Sequence, residues 1–451
     1  MSSEVRFARL GDLLEITSSK RIHMADYVAS GIPFYRSKEV IERSKGNPIS
    51  TELFIAPSQF EVIKQKFGSP SDGDILLTSV GTLGVPYVVK GDGDFYFKDG
   101  NLTWMRNFTE AISPQFLYYW LTSPRTQQKL DEVSIGSTQK ALTISALKSL
   151  EIPLPSRSTQ EGIVEILGAI SNRITLLRET NTTLESIAQA LFKSWFVDFD
   201  PVHAKMQGRA PEGMDEATAA LFPDSFEESE LGAVPKGWKL VPFGQLLSHT
   251  IGGDWGSDVV DEKNDTRVAI IRGTDIPDLQ TSANSRVPVR YTSQKKLAGR
   301  KLEAGDLLLE VSGGSKDQPT GRSLFISAAL LSQFDCPVEP ASFCRLLRPM
   351  NKEVGMMLAQ HLTYIYDQGK TWEYQNQSTG IANFQTTHFL ETELVACPPG
   401  DVLKAFAETV QPLIARAHLT QIQELASLRD TLLPRLISGQ LSIAEAEEAL
   451  I

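Results

Sequence analysis

The chain has 451 residues, of which 41% are hydrophobic and 22% are charged, as in a globular protein with roughly two to four domains. It has no run of about 18 apolar residues that would cross a membrane, and its N-terminus has no apolar signal core. We therefore expect a cytoplasmic protein with no membrane partner. The three cysteines lack the spacing of a zinc site or a disulfide framework. The formal net charge of −11 argues against a simple basic nucleic-acid binder.

The two halves of the chain repeat the same short motifs in the same order. The matching pairs are Val5–Leu13 with Trp238–Leu246, Ile32–Val40 with Val268–Ile276, Gly73–Leu77 with Gly305–Leu309, Ser137–Thr138 with Ser378–Thr379, and Ile152–Pro155 with Ala396–Pro399. The spacing between partners changes only slightly along the chain. Each match is weak alone, but five collinear matches predict a diverged duplication.

Each half begins with a mixed module, residues 1–155 and 236–400. Short β-type runs separated by Gly, Pro and Asp turns predict strands in both modules. A long helix follows each module, over 156–199 and 401–451. The sequence therefore predicts an α+β fold, with two tandem mixed α/β modules separated by long helices.

The first long helix has a heptad repeat. Ser158 and Glu161 have the spacing of a capping box at its start. The two apolar rows are Ile163, Ile170, Leu177, Leu184, Leu191 and Leu167, Ile174, Asn181, Ala188, Trp195. This pattern predicts a coiled-coil seam, in which Asn181 would fix the register. The alternative is a single amphipathic helix that packs on its own module.

The second long helix is less regular. Its seam rows contain Leu425 and Leu432, and then Ala415, Ile422, Arg429 and Leu436. Pro412 is expected to break or kink its first turns, and Gly439 to end it. Residues 200–235, between the halves, form a predicted acidic linker with net charge −6 and one short helix near Met214–Leu221.

The negative charge lies in the helices and the linker. Residues 1–155 carry 17 basic and 17 acidic side chains, and residues 236–400 carry 17 and 18. Two nearly neutral modules can each present a local basic face to phosphates. An acidic helical region suits a protein partner better than DNA.

The sequence contains no recognisable catalytic machinery. Gly369-Lys370-Thr371 has the tail of a phosphate-binding loop, but Tyr364 stands where the first glycine belongs. Asp261-Glu262-Lys263 is the nearest match to a nuclease cluster, and a solvated turn explains it better. The histidines show no metal-ligand pairing, and no methyltransferase motif is present. We therefore expect neither an enzyme nor a bound cofactor or metal.

The chain resembles the specificity subunit of type I restriction-modification systems. The resemblance is carried by the duplication and by three segments, Leu191–Pro201, Val234–Trp238 and Arg429–Gly439. It implies two target-recognition domains, each reading one half of a bipartite double-stranded DNA target. It also implies two antiparallel spacer helices that form a coiled coil with a pseudo-two-fold axis. The implied partners are two methyltransferase subunits and a restriction/translocase subunit. The alternative is a coiled-coil protein–protein adaptor without sequence-specific DNA binding.

Candidate DNA-reading residues lie in polar loops near basic side chains, because Arg, Lys, Asn, Gln, Ser and Thr are the residues that read base edges. In the first module they are Lys20, Arg21, Arg36, Lys38, Thr78, Ser79, Ser137, Thr138, Gln139 and Lys140. In the second they are Arg272, Thr274, Ser312, Ser315, Lys316, Gln375, Asn376, Gln377 and Ser378. Arg36 and Arg272 are equivalent in the duplication. For each of these residues a structural ion pair or a solvated turn is the alternative.

The candidate scaffold residues are those of the helix seams: Ile163, Ile170, Ile174, Leu177, Asn181, Leu184, Leu191, Ile422, Leu425, Leu432 and Leu436. Their inward faces are expected to pack. The outer faces of the helices would either meet solvent or dock a methyltransferase.

Overall fold

The structure is a computed structural model that describes residues 6–448 except 48, 50, 137–139, 230, 231, 281–286, 315–317, 379, 380, 418 and 419. The chain divides into two compact units. Unit 1 comprises Met1–Arg173 and Leu425–Ile451, and unit 2 comprises Ile174–Glu424. Among the described residues, no helix is both long enough and apolar enough to span a membrane.

The first module, in unit 1, is built on two four-stranded sheets. The main sheet is antiparallel, in the order Glu15–Thr17, Leu102–Arg106, Ile75–Thr78, Pro86–Val88. The second has the order Tyr27–Val28, Phe54–Ile55, Ile32–Tyr35, Tyr96–Phe97, and its last pair is parallel. Phe7–Arg9 pairs with Glu151–Pro153. The module's helices are Leu10–Leu13, Ser37–Ser44, Pro57–Phe67, Pro114–Thr122, Pro124–Glu132 and Ile144–Ser149, with a 3₁₀ turn at Met24–Asp26.

Local sequence accounts for these boundaries. Ser113 caps the helix Pro114–Thr122 by accepting a hydrogen bond from the N–H of Phe116, and Pro114 occupies the first helical turn, where its missing N–H costs nothing. All four residues of Ile75–Thr78 are buried, because this strand is flanked by strands on both sides and covered on both faces.

The second module, in unit 2, has the same plan. Its main antiparallel sheet has the order Leu247–Gly252, Cys344–Pro349, Leu307–Glu310, Ser323–Phe325. A second sheet has the order Val289–Thr292, Thr266–Ile271, Val338–Pro340, again with a parallel last pair. Ser312–Gly313, Ile381–Phe384 and Gln375–Ser378 form a third sheet, and Lys239–Pro242 pairs with Leu394–Cys397. The strand pairings of the first module thus recur, as a duplication requires.

The second module also contains several helices. They are Ile276–Gln280, Gln294–Arg300, Ala328–Leu331, Lys352–Asp367 and Thr386–Thr392, with 3₁₀ turns at Phe243–Leu246, Gly273–Asp275 and Lys370–Tyr374.

The central helix, Arg157–Phe192, lies where the heptad repeat predicted it and ends in a π-helical turn, Lys193–Val197. Within unit 2 its end packs against the helix Gly400–Ala417, since the rings of Phe192, Trp195 and Phe196 lie 4.8–6.4 Å from that of Phe406. Glu185 and Gln189, one to two turns earlier, line a pocket together with Ile414, so these two helices run antiparallel.

The structure differs in some details from what the sequence predicted for the C-terminal helix and the linker. Among the described residues of the predicted C-terminal helix, the helical stretches are Gly400–Ala417, Gln421–Ile437 and Ile443–Glu448, and the first continues through Pro412. The predicted linker contains the short helix expected near Met214–Leu221, at Glu216–Ala220. It also contains the helix Asp200–Met206 and the hairpin Phe226–Ser229 with Gly232–Pro235, which were not expected. Val202 and Phe222 are buried in the core of unit 2, which explains why this acidic segment folds.

Candidate nucleic-acid interface

The equivalent arginines of the two modules form the same local structure. Each follows a strand of the second sheet and caps the turn that comes next. The N–H of Arg36 donates to Glu39 Oε2 at 2.9 Å, and its Nη2 donates to Glu39 Oε1 at 2.8 Å. Arg272 makes the corresponding bonds to Asp275, at 2.9 and 2.7 Å. This arginine box, Arg36 with Glu39 and Arg272 with Asp275, is a structural ion pair in both modules.

The electrostatics of the box fix each arginine in its charged form. The hydrogen bond to the carboxylate raises the pKa of both Arg36 and Arg272 above the ordinary value. Burial acts to raise the pKa of Glu39, but the bonds from Arg36 outweigh it and hold that pKa below its usual range. The arginine side chains stay 39% and 38% exposed while the carboxylates are buried. Each box therefore presents an oriented guanidinium at the surface.

A cleft of about 680 Å³ lies beside the arginine box of the second module. Its lining includes Trp255, Arg272, Glu310, Ser312, Arg322 and Phe343. Arg322 donates from Nε and Nη2 to the two oxygens of Glu310, at 2.9 and 2.5 Å. Glu310 is buried, and its hydrogen bond raises the pKa of Arg322.

Two glycines make room for the Glu310 carboxylate. A Cβ added at Gly273 or Gly313 would lie 2.4 Å from Glu310 Oε1. Glu310 therefore packs directly against the turn that carries Arg272. The buried carboxylate thus lies between its partner Arg322 and the turn that carries Arg272.

Sequence reasoning missed Glu310, Arg322, Trp255 and Phe343. The sequence could have pointed to Glu310, because this acidic residue directly follows Leu307-Leu308-Leu309, at a position where a buried strand would be expected to have an apolar residue. Its partner Arg322 lies 12 residues further along, and no local spacing reveals that pairing.

Most basic candidates of the first module are at the surface. Lys20 is exposed, with Nζ 5.3 Å from the centre of the Phe67 ring. Arg21 pairs with Asp99 at 2.8 Å, and Lys140 pairs with Asp131 at 2.5 Å. Lys38 is exposed on the helix that follows Arg36. Ser137, Thr138 and Gln139 lie outside the described residues.

Thr78 and Ser79 were wrongly assigned as readers. Both are buried at the end of a central strand. Thr78 Oγ1 accepts from the N–H of Val85 at 2.9 Å, and Ser79 Oγ lies 2.6 Å from Thr103 Oγ1. Their hydroxyls stabilise the turn and the sheet, so no base edge can reach them.

The candidates of the second module likewise include surface residues and residues that bond within the module. Thr274 and Asn376 are exposed, and Ser312 lines the cleft. The side chain of Gln375 bonds within the module, because its Oε1 accepts hydrogen bonds from the N–H and the hydroxyl of Thr320 at 3.0 and 3.3 Å. For Gln377 and Ser378 only the strand backbone is described, and Ser315 and Lys316 lie outside the described residues.

A buried ionic cluster in the second module lies apart from these surface groups. The Glu393 carboxylate accepts from His361 at 2.8 Å, from Lys370 at 2.7 Å and from Tyr374 at 2.5 Å. Burial raises the pKa of Glu393, but these partners outweigh it and lower the pKa to about 2. The cluster joins three elements of the module and is structural. Within the described ranges, no three His, Cys, Asp or Glu side chains are grouped so as to hold a metal ion.

The seam residues of the long helices are largely buried. The buried ones are Ile163, Ile170, Ile174, Leu177, Asn181, Ile422, Leu432 and Leu436, and Leu184, Leu191 and Leu425 are half-buried. Close packing is shown directly in unit 1, where a Cβ added at Gly162 of the central helix would lie 2.4 Å from Ile443 Cδ1.

The fold defines a protein of two similar α/β modules, each followed by helices. Residues 2–186 match the sequence model of the family described as "Type I restriction modification DNA specificity domain". The chain is 26% identical over 420 residues to the HindI specificity subunit of a type I restriction enzyme of Haemophilus influenzae, covering 82% of this chain and 86% of that protein. The MjaIX specificity subunit of Methanocaldococcus jannaschii is 25% identical over 462 residues, covering 97% and 93%. The chain is therefore similar to type I restriction-modification specificity subunits, through the family model in its first part and through these relatives over most of its length.

A solved structure has a similar fold. It is the type I restriction-modification S subunit from M. genitalium, with a TM-score of 0.51, 15% sequence identity and 97% of each chain covered.

Proposed function

We propose that this chain is the DNA sequence-specificity subunit of a type I restriction-modification complex and has no catalysis of its own. Residues 1–155 and 236–400 are the proposed target-recognition domains, each reading one half of a bipartite double-stranded target. The helices within 156–199 and 401–451 dock two methyltransferase subunits, and a restriction/translocase subunit joins for cleavage. The observation that carries the proposal is the arginine box, which recurs at the same position in two modules of the same plan.

The box suits base reading for a physical reason. An arginine can donate two hydrogen bonds to O6 and N7 of guanine in the major groove, provided that its guanidinium is held in a defined direction. Glu39 and Asp275 provide that direction through bonds to the backbone and side chain of their arginines. The groups around the two boxes differ, so two modules of one fold can read two different half-sites.

The central helix supports the proposed spacing of the half-sites. Its 36 residues give a length of about 54 Å at ~1.5 Å per residue. One turn of B-DNA is about 34 Å. The helix is thus longer than one turn of B-DNA, and we propose that the gap between the two half-sites follows the length of this helix.

The test is selection from random duplex DNA by the full chain, co-purified with its methyltransferase subunits, at a stated salt concentration. Two short motifs separated by a fixed gap are expected. The salt concentration matters because phosphate contacts dominate non-specific affinity. A folded complex that enriches no sequence would refute the proposal in favour of the protein–protein adaptor.

A further inference from the structure

One loop of the first module lies beside its arginine box, between the strands Tyr96–Phe97 and Leu102–Arg106. The N–H of Lys98 donates to the carbonyl of Tyr35 at 2.8 Å. The N–H of Ser79 donates to the carbonyl of Asn101, also at 2.8 Å. The first bond holds the start of the loop beside Tyr35, which precedes Arg36, and the second holds the end of the loop beside Ser79.

The corresponding loop of the second module is held by the same pair of backbone bonds. The N–H of Ala341 donates to the carbonyl of Ile271 at 2.9 Å, and the N–H of Val311 donates to the carbonyl of Phe343 at 2.8 Å. Ile271 precedes Arg272 just as Tyr35 precedes Arg36. Asn101 and Phe343 therefore occupy the same position in the two modules, although nothing in their chemistry is alike.

The two side chains differ in what they can read. Asn101 is half-buried, and the hydrogen bonds given for it among the described residues are made by its backbone carbonyl, which accepts from the N–H of Ser79 and the hydroxyl of Ser37. An asparagine amide can bond to N6 and N7 of adenine together. Phe343 can make no such bonds, but an aromatic ring packs against the C5-methyl group of thymine.

The placement of Phe343 favours a methyl contact over insertion between base pairs. Phe343 is 63% exposed and lines the concave cleft that contains Arg272 and Arg322. A concave apolar wall can receive a group that projects from the DNA, whereas an intercalating wedge must itself project. The thymine methyl is the group that projects into the major groove.

We propose that Asn101 and Phe343 are equivalent specificity-determining residues, Asn101 reading an adenine and Phe343 the methyl group of a thymine. The assignment rests on the proposed function. It explains how two modules with the same arginine box select different half-sites.

The thymine contact is tested on the target that the selection yields. Each thymine of the second half-site is replaced in turn by deoxyuridine, which removes only the methyl group, and affinity is measured with the full complex. One replacement should weaken binding about fourfold, the value expected for one buried methyl at ~0.8 kcal/mol. Phe343→Ala should bind the thymine target about fourfold more weakly and lose the difference between thymine and deoxyuridine.

Met350→Ala is the matched control, because Met350 is 61% exposed in the same module and lies outside the cleft lining. This variant should keep the full difference between thymine and deoxyuridine. If Phe343→Ala also keeps it, or if no thymine of that half-site is sensitive, the assignment is overturned while the proposed function stands. A complex that selects no split sequence would overturn both.

The adenine contact is tested with 7-deazaadenine, which removes the N7 acceptor, at each adenine of the first half-site. One position should lose about tenfold in affinity. Asn101→Ala should abolish that sensitivity, and so should Asn101→Asp, which keeps the shape but removes the N–H donor. Retained sensitivity in both variants would overturn the role of Asn101.

Discussion

Arg322 donates two hydrogen bonds to the carboxylate of Glu310, and that carboxylate is buried between the turn that carries Arg272 and the wall of the cleft. A buried charge is stable only when it is paired and hydrogen-bonded. The pair therefore fixes an arginine at the cleft and also supports the fold.

The first prediction concerns Glu310→Gln, which keeps the shape of the side chain and removes its charge. Arg322 would remain largely buried with a weakened partner, so the free energy of unfolding should fall by about 1–3 kcal/mol. Urea denaturation measures this change. Arg322→Met removes the cation and leaves the Glu310 carboxylate buried without its partner, so it should lower the free energy of unfolding at least as much. If both variants were as stable as the wild type, the structural role of the pair would be contradicted.

A second prediction follows from the close approach of Gly273 to Glu310. Gly273→Ala would place a Cβ 2.4 Å from Glu310 Oε1, so it should destabilise the second module by about 1–3 kcal/mol. Gly252→Ala is the matched control, because no atom lies within 4 Å of its added Cβ. Thermal unfolding of the two variants should differ clearly, and similar melting temperatures would contradict the packing described.

The third prediction concerns the arginine boxes. Arg36→Ala and Arg272→Ala should each weaken recognition of one half-site only, by about 1–3 kcal/mol if the arginine bonds to guanine. The measurement is affinity for targets in which one half-site or the other is scrambled. Equal loss for unrelated DNA would make the arginine a phosphate contact or a folding residue.

Particular residues show how far the sequence could predict this molecule. The heptad repeat located the central helix, because a period of 3.5 residues is read directly from neighbours in the chain. The duplication paired Arg36 with Arg272, and the structure gives both the same bonds. Thr78 and Ser79 were misassigned because a polar residue at the end of a buried strand looks like a loop residue until its partners are known.

Long-range pairing explains the other misses. The bonds of Glu310 with Arg322 and of Val311 with Phe343 join segments that no sequence period relates. The C-terminal helices were predicted as one because their seam rows continue across the segment between Ala417 and Gln421.

The fourth prediction is a loss of stability in acid that depends on Glu393. The ordinary pKa of a glutamate is 4.5, and that of Glu393 in the folded protein is about 2. The folded state therefore stabilises the ionised carboxylate. The stabilisation, on the order of 3 kcal/mol, is present above pH 4.5 and is lost as the pH falls towards 2. Glu393→Gln should therefore be less stable than wild type at pH 7, and the difference should shrink as the pH falls from 5 to 3. A difference that is constant over this range would contradict the mechanism.

The fifth prediction has the opposite sign. Glu339 is buried in the strand Val338–Pro340, both of its carboxylate oxygens lack a hydrogen-bond partner among the described residues, and burial raises its pKa to about 7. A raised pKa contributes stability that is complete below the ordinary value of 4.5 and is lost as the pH rises through 7. Glu339→Gln, which is neutral at every pH, should therefore gain stability over wild type as the pH rises from 5 to 8. Denaturation at both pH values tests this, with Glu353→Gln, at a half-buried position in the first turn of a helix, as the control. A gain at pH 5 equal to that at pH 8 would show that the carboxyl group does not titrate in this range.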